Sequence, residues 1–257
     1  MTSIRLSQGH LNLLERCPRQ FQYIYLDQLG APNSLEQQRQ IWGSRFHLLM
    51  QQRELGLPIE SFIEEDAQLQ GWMTALTIAA PESTLIKSQT WRESEHCRTL
   101  QVQDYLLTVI YDLLIAHESA QIIDWKTYPQ PQNRRWLESN WQTLLYLYVL
   151  TQTSDYLPEQ ISMTYWFVQS PDKPQSLKFT YSSTQHQRTE QKLHELLSQL
   201  TVWLQRYRQG EPFPQIARGS ERCHSCTFAV RCQGERYSKE DVGKYPLSLA
   251  NIQEVSL

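Results

Sequence analysis

Within Ile122-Ile123-Asp124-Trp125-Lys126, an acid and a lysine stand two residues apart in a run of β-branched and aromatic residues. Side chains on a strand alternate between faces, so Asp124 and Lys126 share one face and Trp125 takes the other. A carboxylate binds a hard divalent cation through oxygen. A lysine beside it can orient or deprotonate an attacking water and offset the negative charge that develops in a transition state. Alone, such a pair is a common accident of exposed strands. Asp112 changes its weight, because it interrupts the apolar run from Val109 to Ile115, and a carboxylate in apolar surroundings needs a partner. If the two runs pair as a hairpin, Asp112 reaches the point where Asp124 and Lys126 sit. Two carboxylates and a lysine converging there suit hydrolysis of a phosphodiester.

A second constellation is made of thiols. Cys223-x2-Cys226-x5-Cys232 places three cysteines close together near the C-terminus, and Cys17 is followed directly by Pro18. The chain has five cysteines, and the odd number argues against a disulfide framework. Four thiolates suit either a [4Fe–4S] cluster or a tetrahedral zinc. Cys97, apart from the others, is expected to be a small buried strand residue.

The elements that must position these groups can be read from periodicity. Residues 4–29 are predicted to form a helix, with Ser7 as N-cap and Leu11, Leu14, Phe21 and Ile24 at helical spacing, ended by Gly30-Ala31-Pro32-Asn33. Residues 36–80 read as largely helical, with a break near Gly56-Leu57-Pro58 and a boundary at Pro81. Between 84 and 127 the pattern changes to three or four short strands, with His117-Glu118-Ser119 as one of the turns. Pro129 to Gln132 reads as a loop and 133–153 as a strongly apolar helix. Two more strands follow, in MTYWFVQS and SLKFTYS, then an amphipathic helix over 183–209 and a tail bearing the cysteines. This order predicts one α/β domain over 1–257 with a mixed central sheet. It divides into an N-terminal helical part (1–82), a sheet and helix (83–182), and a C-terminal helix and tail (183–257).

The bulk numbers bound the class. The 257 residues, 40% hydrophobic and 20% charged, suffice for a sizeable core. No apolar stretch is long enough to span a membrane. The N-terminus has no uninterrupted apolar core or small-residue cleavage site, so no secretory leader and a cytoplasmic location are expected. A net charge of −3 gives no global footprint for nucleic acid, although six arginines against three glutamates between 206 and 236 leave room for a local basic surface or a solvated helix face.

In order, Gly43-x3-His47, the strand residue Asp112, Asp124-Trp125-Lys126 and Gln142-x3-Tyr146 resemble the motifs of RecB-like PD-(D/E)XK nucleases, from about residue 7 to residue 232. The resemblance implies a restriction-endonuclease-like core with a mixed central β-sheet flanked by helices. It implies a Mg²⁺ or Mn²⁺ held by His47, Asp112, Asp124 and the main-chain carbonyl of Trp125, with Lys126 as the catalytic lysine. Gln142 and Tyr146, one helical turn apart, would line the site and help hold the lysine or the DNA. Cys17, in a C-P-x-x-F context, joined to Cys223, Cys226 and Cys232, matches the branch with a four-cysteine [4Fe–4S] cluster, which here favours the cluster over zinc. The implied activity is a deoxyribonuclease, expected to be an exonuclease on single-stranded DNA or DNA ends in repair, recombination or CRISPR adaptation, with a helicase or integrase as conceivable partner. The rival expectation is a catalytically silent DNA-binding or scaffold module of the same fold. Its support is one departure: the family's glycine three residues before the strand aspartate is replaced by Val109, which puts the shape of the groove in question.

Overall fold

The structure is a computed structural model that describes residues 4–29, 34–64, 66–79, 90–127, 133–169, 174–217, 220–224 and 226–233. Gly30 to Asn33, Pro81, the start of the first strand run at 84–89, the loop at 129–132, and Arg218 and Arg236 lie outside them.

A six-stranded mixed sheet carries the molecule, and helices cover both of its faces. Its strands are β1 (Ile4–Leu6), β2 (Trp91–Val102), β3 (Tyr105–Ala116), β4 (Ala120–Lys126), β5 (Ile161–Phe167) and β6 (Gln175–Thr180). β3 is the organising strand. Along one edge it pairs antiparallel with β2. Along the other it pairs first with β1, in parallel at Tyr105–Leu107, and later with β4, antiparallel at Leu113–Ala116. The stretch between, 108–112, has no ladder partner on that edge among the described residues. β4 then runs parallel to β5, and β5 antiparallel to β6.

The larger core lies between the sheet and three helices: α1 (Gln8–Arg16), α7 (Trp141–Gln152) and α8 (Ser183–Arg208). Leu11 and Leu14, Trp141, Leu145 and Val149, and Leu193, Leu197 and Leu200 supply their buried faces, each series at helical spacing. The smaller core lies on the opposite side, where α3 (Ser34–Glu54) and α5 (Ala67–Ala79) bring Phe46, Met50, Leu69 and Leu76 against Leu113, Ile123 and Trp125. A buried two-pronged ion pair, Arg92 to Glu54 at 2.8 and 3.0 Å, fastens α3 to β2. The short helices α2 (Pro18–Phe21), α4 (Glu60–Glu64), α6 (Arg134–Ser139), α9 (Glu221–His224) and α10 (Ala229–Gln233) complete the set. Among the described residues no helix is long and apolar enough to cross a membrane.

Three sequence expectations are corrected. Residues 4–29 are not one helix. Ile4–Leu6 form β1, Ser7 caps α1 as expected, Cys17 breaks the helix, and a π-helical turn spans Gln22–Leu26. Three residues, of which Leu6 alone is buried, carry too little periodicity to signal a strand, and β1 exists because β3 offers it an open edge. Residues 133–153 split at Asn140, whose side chain caps α7 by accepting from the Gln142 amide at 2.8 Å. Cys97 is exposed rather than buried, because β2 is an edge strand and Cys97 shares its outer face with the exposed Thr99 and Gln101.

Candidate active site

The cleft opens where β3 and β4 part. Their ladder ends at Leu113↔Ile123, just short of Asp112 and Asp124, while Asp124, Trp125 and Lys126 stay bound to β5 on their other side. The Trp125 amide, deprived of a backbone partner, donates instead to Asp112 Oδ2 at 2.7 Å. The Trp125 indole packs into the smaller core. Asp124 and Lys126 point the opposite way, towards α7, as strand alternation requires. Lys126 Nζ sits 2.6 Å from Asp124 Oδ1 and donates to Gln142 Oε1 at 2.9 Å. Gln142 Nε2 in turn donates to Asp124 Oδ2. The three side chains form a closed ring of contacts.

Gln142 is positioned by the break at Asn140. Asn140 and Asn12 of α1 clasp each other: Asn12 Nδ2 donates to Asn140 Oδ1 at 3.1 Å, and Asn12 Oδ1 accepts from the Trp141 amide at 3.1 Å. This sets the first turn of α7 against α1 and aims Gln142 at the end of β4. One turn on, Tyr146 is buried beside Tyr111, whose hydroxyl donates to the Tyr146 carbonyl at 3.1 Å. Burial, then the charges of Asp124 and Asp112, push the Tyr146 hydroxyl well above its ordinary pKa, so it stays a neutral donor.

His47 comes from the other side of the sheet. Its Nε2 lies 3.0 Å from the Trp125 carbonyl, and its Nδ1 lies 3.3 Å from Asp112 Oδ1. Gly43, one turn earlier, explains how α3 comes so close: a Cβ there would stand 3.3 Å from Thr127 Oγ1. Burial disfavours the imidazolium, but Asp112 and then Asp124 outweigh it and raise the His47 pKa to about 9. A histidine raised above its unfolded value stabilises the fold fully below that value and loses the contribution as pH rises through the folded one. In the presence of chelator, the melting temperature of the wild type should therefore fall between pH 6.5 and pH 9. His47→Gln should flatten that fall, as differential scanning fluorimetry across the interval would show. Equal slopes would refute the coupling to Asp112.

His47, Asp112, Asp124, Trp125, Lys126, Gln142 and Tyr146 thus all border one open cleft of about 650 Å³. Sequence reasoning missed Glu95. Its carboxylate, the His47 imidazole and Asp112 each offer a ligand atom within 4.8 Å of the others. Val109 leaves the groove unobstructed, since its side chain is buried in the larger core and Ile110 is the neighbour that borders the cleft. The side chain that departs from the family pattern thus faces away from the cleft. The donor set fits a hard divalent cation: carboxylates, a carbonyl and one imidazole.

Cys17, Cys223, Cys226 and Cys232 border a second, separate pocket together with Arg16 and Arg222. The N- and C-terminal segments are laced together around it. Arg19 Nε donates to the Phe213 carbonyl at 2.6 Å and Gln22 Oε1 accepts from the Phe213 amide at 2.8 Å, while within the C-terminal segment Gln215 donates to the Cys232 carbonyl at 3.2 Å. Tyr23 packs its ring on Phe228 at 5.1 Å. Burial, with Cys17 and Cys226 nearby, holds the Cys232 thiol above its ordinary pKa.

A family model of the PD-(D/E)XK nuclease superfamily matches residues 5–233. Comparison with curated protein sequences gives no match. Among solved structures, the chain resembles one from Eubacterium rectale named "Putative exonuclease", with 11% identity, a TM-score of 0.57, and 95% of this chain and 94% of that one covered. It also matches SSO0001, with 15% identity, a TM-score of 0.44, and 91% and 88% coverage. At 11% identity the likeness to the first is one of fold.

Proposed function

The chain belongs to the PD-(D/E)XK nuclease superfamily, and from that premise we propose that it is a deoxyribonuclease acting on single-stranded DNA or DNA ends. The carrying observation is the meeting of Asp112, Asp124, Lys126 and Gln142 at the fork between β3 and β4, with His47 reaching the same peptide from α3. His47, Asp112, Asp124 and the Trp125 carbonyl would hold a Mg²⁺ or Mn²⁺. The bound ion would supply Lewis acidity towards the phosphate and a more acidic water. Lys126 orients the attacking water and offsets charge as the water oxygen bonds to phosphorus. The P–O bond on the opposite side breaks, and the leaving oxygen takes up a proton. Gln142 fixes the lysine, and the neutral Tyr146 hydroxyl donates towards the strand. An exonuclease reading is supported by the name that the Eubacterium rectale protein carries and by the RecB-like order of the motifs. Repair, recombination or CRISPR adaptation, with a helicase or integrase partner, are the settings this reading favours.

The same reading gives the four cysteines a [4Fe–4S] cluster. The four thiols border one pocket beside Arg16 and Arg222, and two cations beside four thiolates favour an anionic cluster there. The deciding assay incubates anaerobically purified protein with end-labelled single- and double-stranded DNA in Mn²⁺, Mg²⁺ or chelator. Cation-dependent cutting that begins at strand ends supports the proposal. No cutting by iron-loaded protein under any of these conditions would replace it with the DNA-binding module.

A further inference from the structure

β2 and β3 pair from Trp91↔Ala116 to Val102↔Tyr105, and one rung is missing, the one that would join Glu95 to Asp112. At this level Glu95 adopts φ +51°, a left-handed conformation uncommon for a residue with a Cβ. The irregularity has a readable effect on both strands. On β3, Leu107, Val109 and Tyr111 point into the larger core; beyond Asp112 it is Leu114 that does so, and Leu113 joins the smaller core. On β2, His96 lies against Tyr111 and Arg98 reaches Thr153 at the end of α7, whereas Arg92 turns to Glu54 of α3. The alternation of faces therefore slips by one residue on both strands at the same level, so register is kept across the gap. The slip presents Glu95 and Asp112 together at the cleft, facing His47.

We propose that Glu95 is a further ligand of the divalent cation, acting with His47 and Asp112. This rests on the nuclease reading for the identity of the ion, Mn²⁺ or Mg²⁺, but stands on geometry of its own. A regular β2 would carry one more backbone rung and an unstrained residue 95. The chain gives up both, and what it gains at that position is a third side-chain donor whose oxygen lies within 4.8 Å of the His47 and Asp112 donors. Three donors from three elements, α3, β2 and β3, close around one point, with the Trp125 carbonyl 3.0 Å from His47 Nε2.

The test is isothermal titration of Mn²⁺ into the anaerobically purified protein, checked by the electron paramagnetic resonance signal of free Mn²⁺. Glu95→Gln should weaken Mn²⁺ binding by about tenfold or more. Glu95→Gly should weaken it equally while melting no lower than wild type in chelator, because glycine takes a positive φ without strain. Wild-type Mn²⁺ affinity in a folded Glu95→Gln would overturn the proposal. So would loss of the melting transition in both variants, which would make Glu95 structural. The nuclease reading is separable: binding that depends on Glu95 in a wild type that cuts no DNA would keep the ligand and remove the nuclease. Cutting by wild type with unchanged binding in Glu95→Gln would do the reverse.

Discussion

Lys126→Ala is expected to slow DNA cleavage by about a thousandfold or more while leaving Mn²⁺ affinity within a few-fold of wild type. The separation follows from where the ammonium sits. It is 2.6 Å from Asp124 Oδ1 and 2.9 Å from Gln142 Oε1, and lies over the Tyr165 ring at 5.3 Å from its centre. It is thus fixed on three sides in a poorly solvated corner, where a full charge aimed at a developing oxyanion acts far more strongly than in water. None of these contacts touches His47 or Asp112, and Asp124, the one proposed ligand that Lys126 does touch, stays held by Gln142. Removing the amine leaves Asp124 without its cation, and burial already raises that carboxyl to about 6. In the variant it should take up a proton more readily, so cleavage is best compared at saturating Mn²⁺ across a range of pH, which separates protonation of Asp124 from loss of the amine. Lys126→Arg should not restore the rate, because a planar guanidinium cannot occupy a position defined for a compact ammonium. Rapid cleavage by Lys126→Ala under these conditions would move the chemistry away from this lysine.

Much of this site was legible because its signals are local. Asp124 and Lys126 share a face by strand alternation alone, and Asp112 is conspicuous as an acid in an apolar run that a three-residue turn returns to Asp124. The helix carrying Gln142 could have been begun more sharply: Asn140 ahead of Trp141 is an N-cap signal, and reading it would have split 133–153 correctly. Glu95 is different in kind. It lies in Glu93-Ser94-Glu95-His96, where no spacing rule distinguishes it from Glu93, and its left-handed backbone is not marked by glycine or asparagine. Only the paired slip of β2 and β3 selects it, and that is a tertiary event. β1 was illegible for the same reason. Three residues become a strand when β3 leaves an edge open beside them. The exposure of Cys97 depends on β2 having no neighbour beyond it among the described residues, a fact of topology rather than composition.

The thiol pocket carries the largest stability effect. Cys226→Ala should lose iron, lose the brown colour of the anaerobic preparation and melt lower by on the order of 10–20 °C. The argument is one of chain entropy. Cys17 lies in the break between α1 and α2, and its partners lie on the segment that follows α8. The proposed cluster would close a loop of about two hundred residues, and a single crosslink of that span is worth about 5 kcal/mol in the unfolded-state model. At about 2–4 °C per kcal/mol for a chain of this size, that gives the stated shift. The contacts that lace the segments together, Arg19 to Phe213, Gln22 to Phe213 and Tyr23 to Phe228, remain in the variant, so it should loosen at this end rather than collapse. Cleavage should suffer less than stability, since the cysteines border a pocket separate from the cleft of His47 and Asp112. Cys97→Ala is the internal control, an exposed thiol on the edge strand whose loss should change neither iron nor melting. Zinc without iron or sulfide in the wild type would replace the cluster with a tetrahedral site. A Cys226→Ala variant that is colourless, fully active and as stable as wild type would remove the staple altogether.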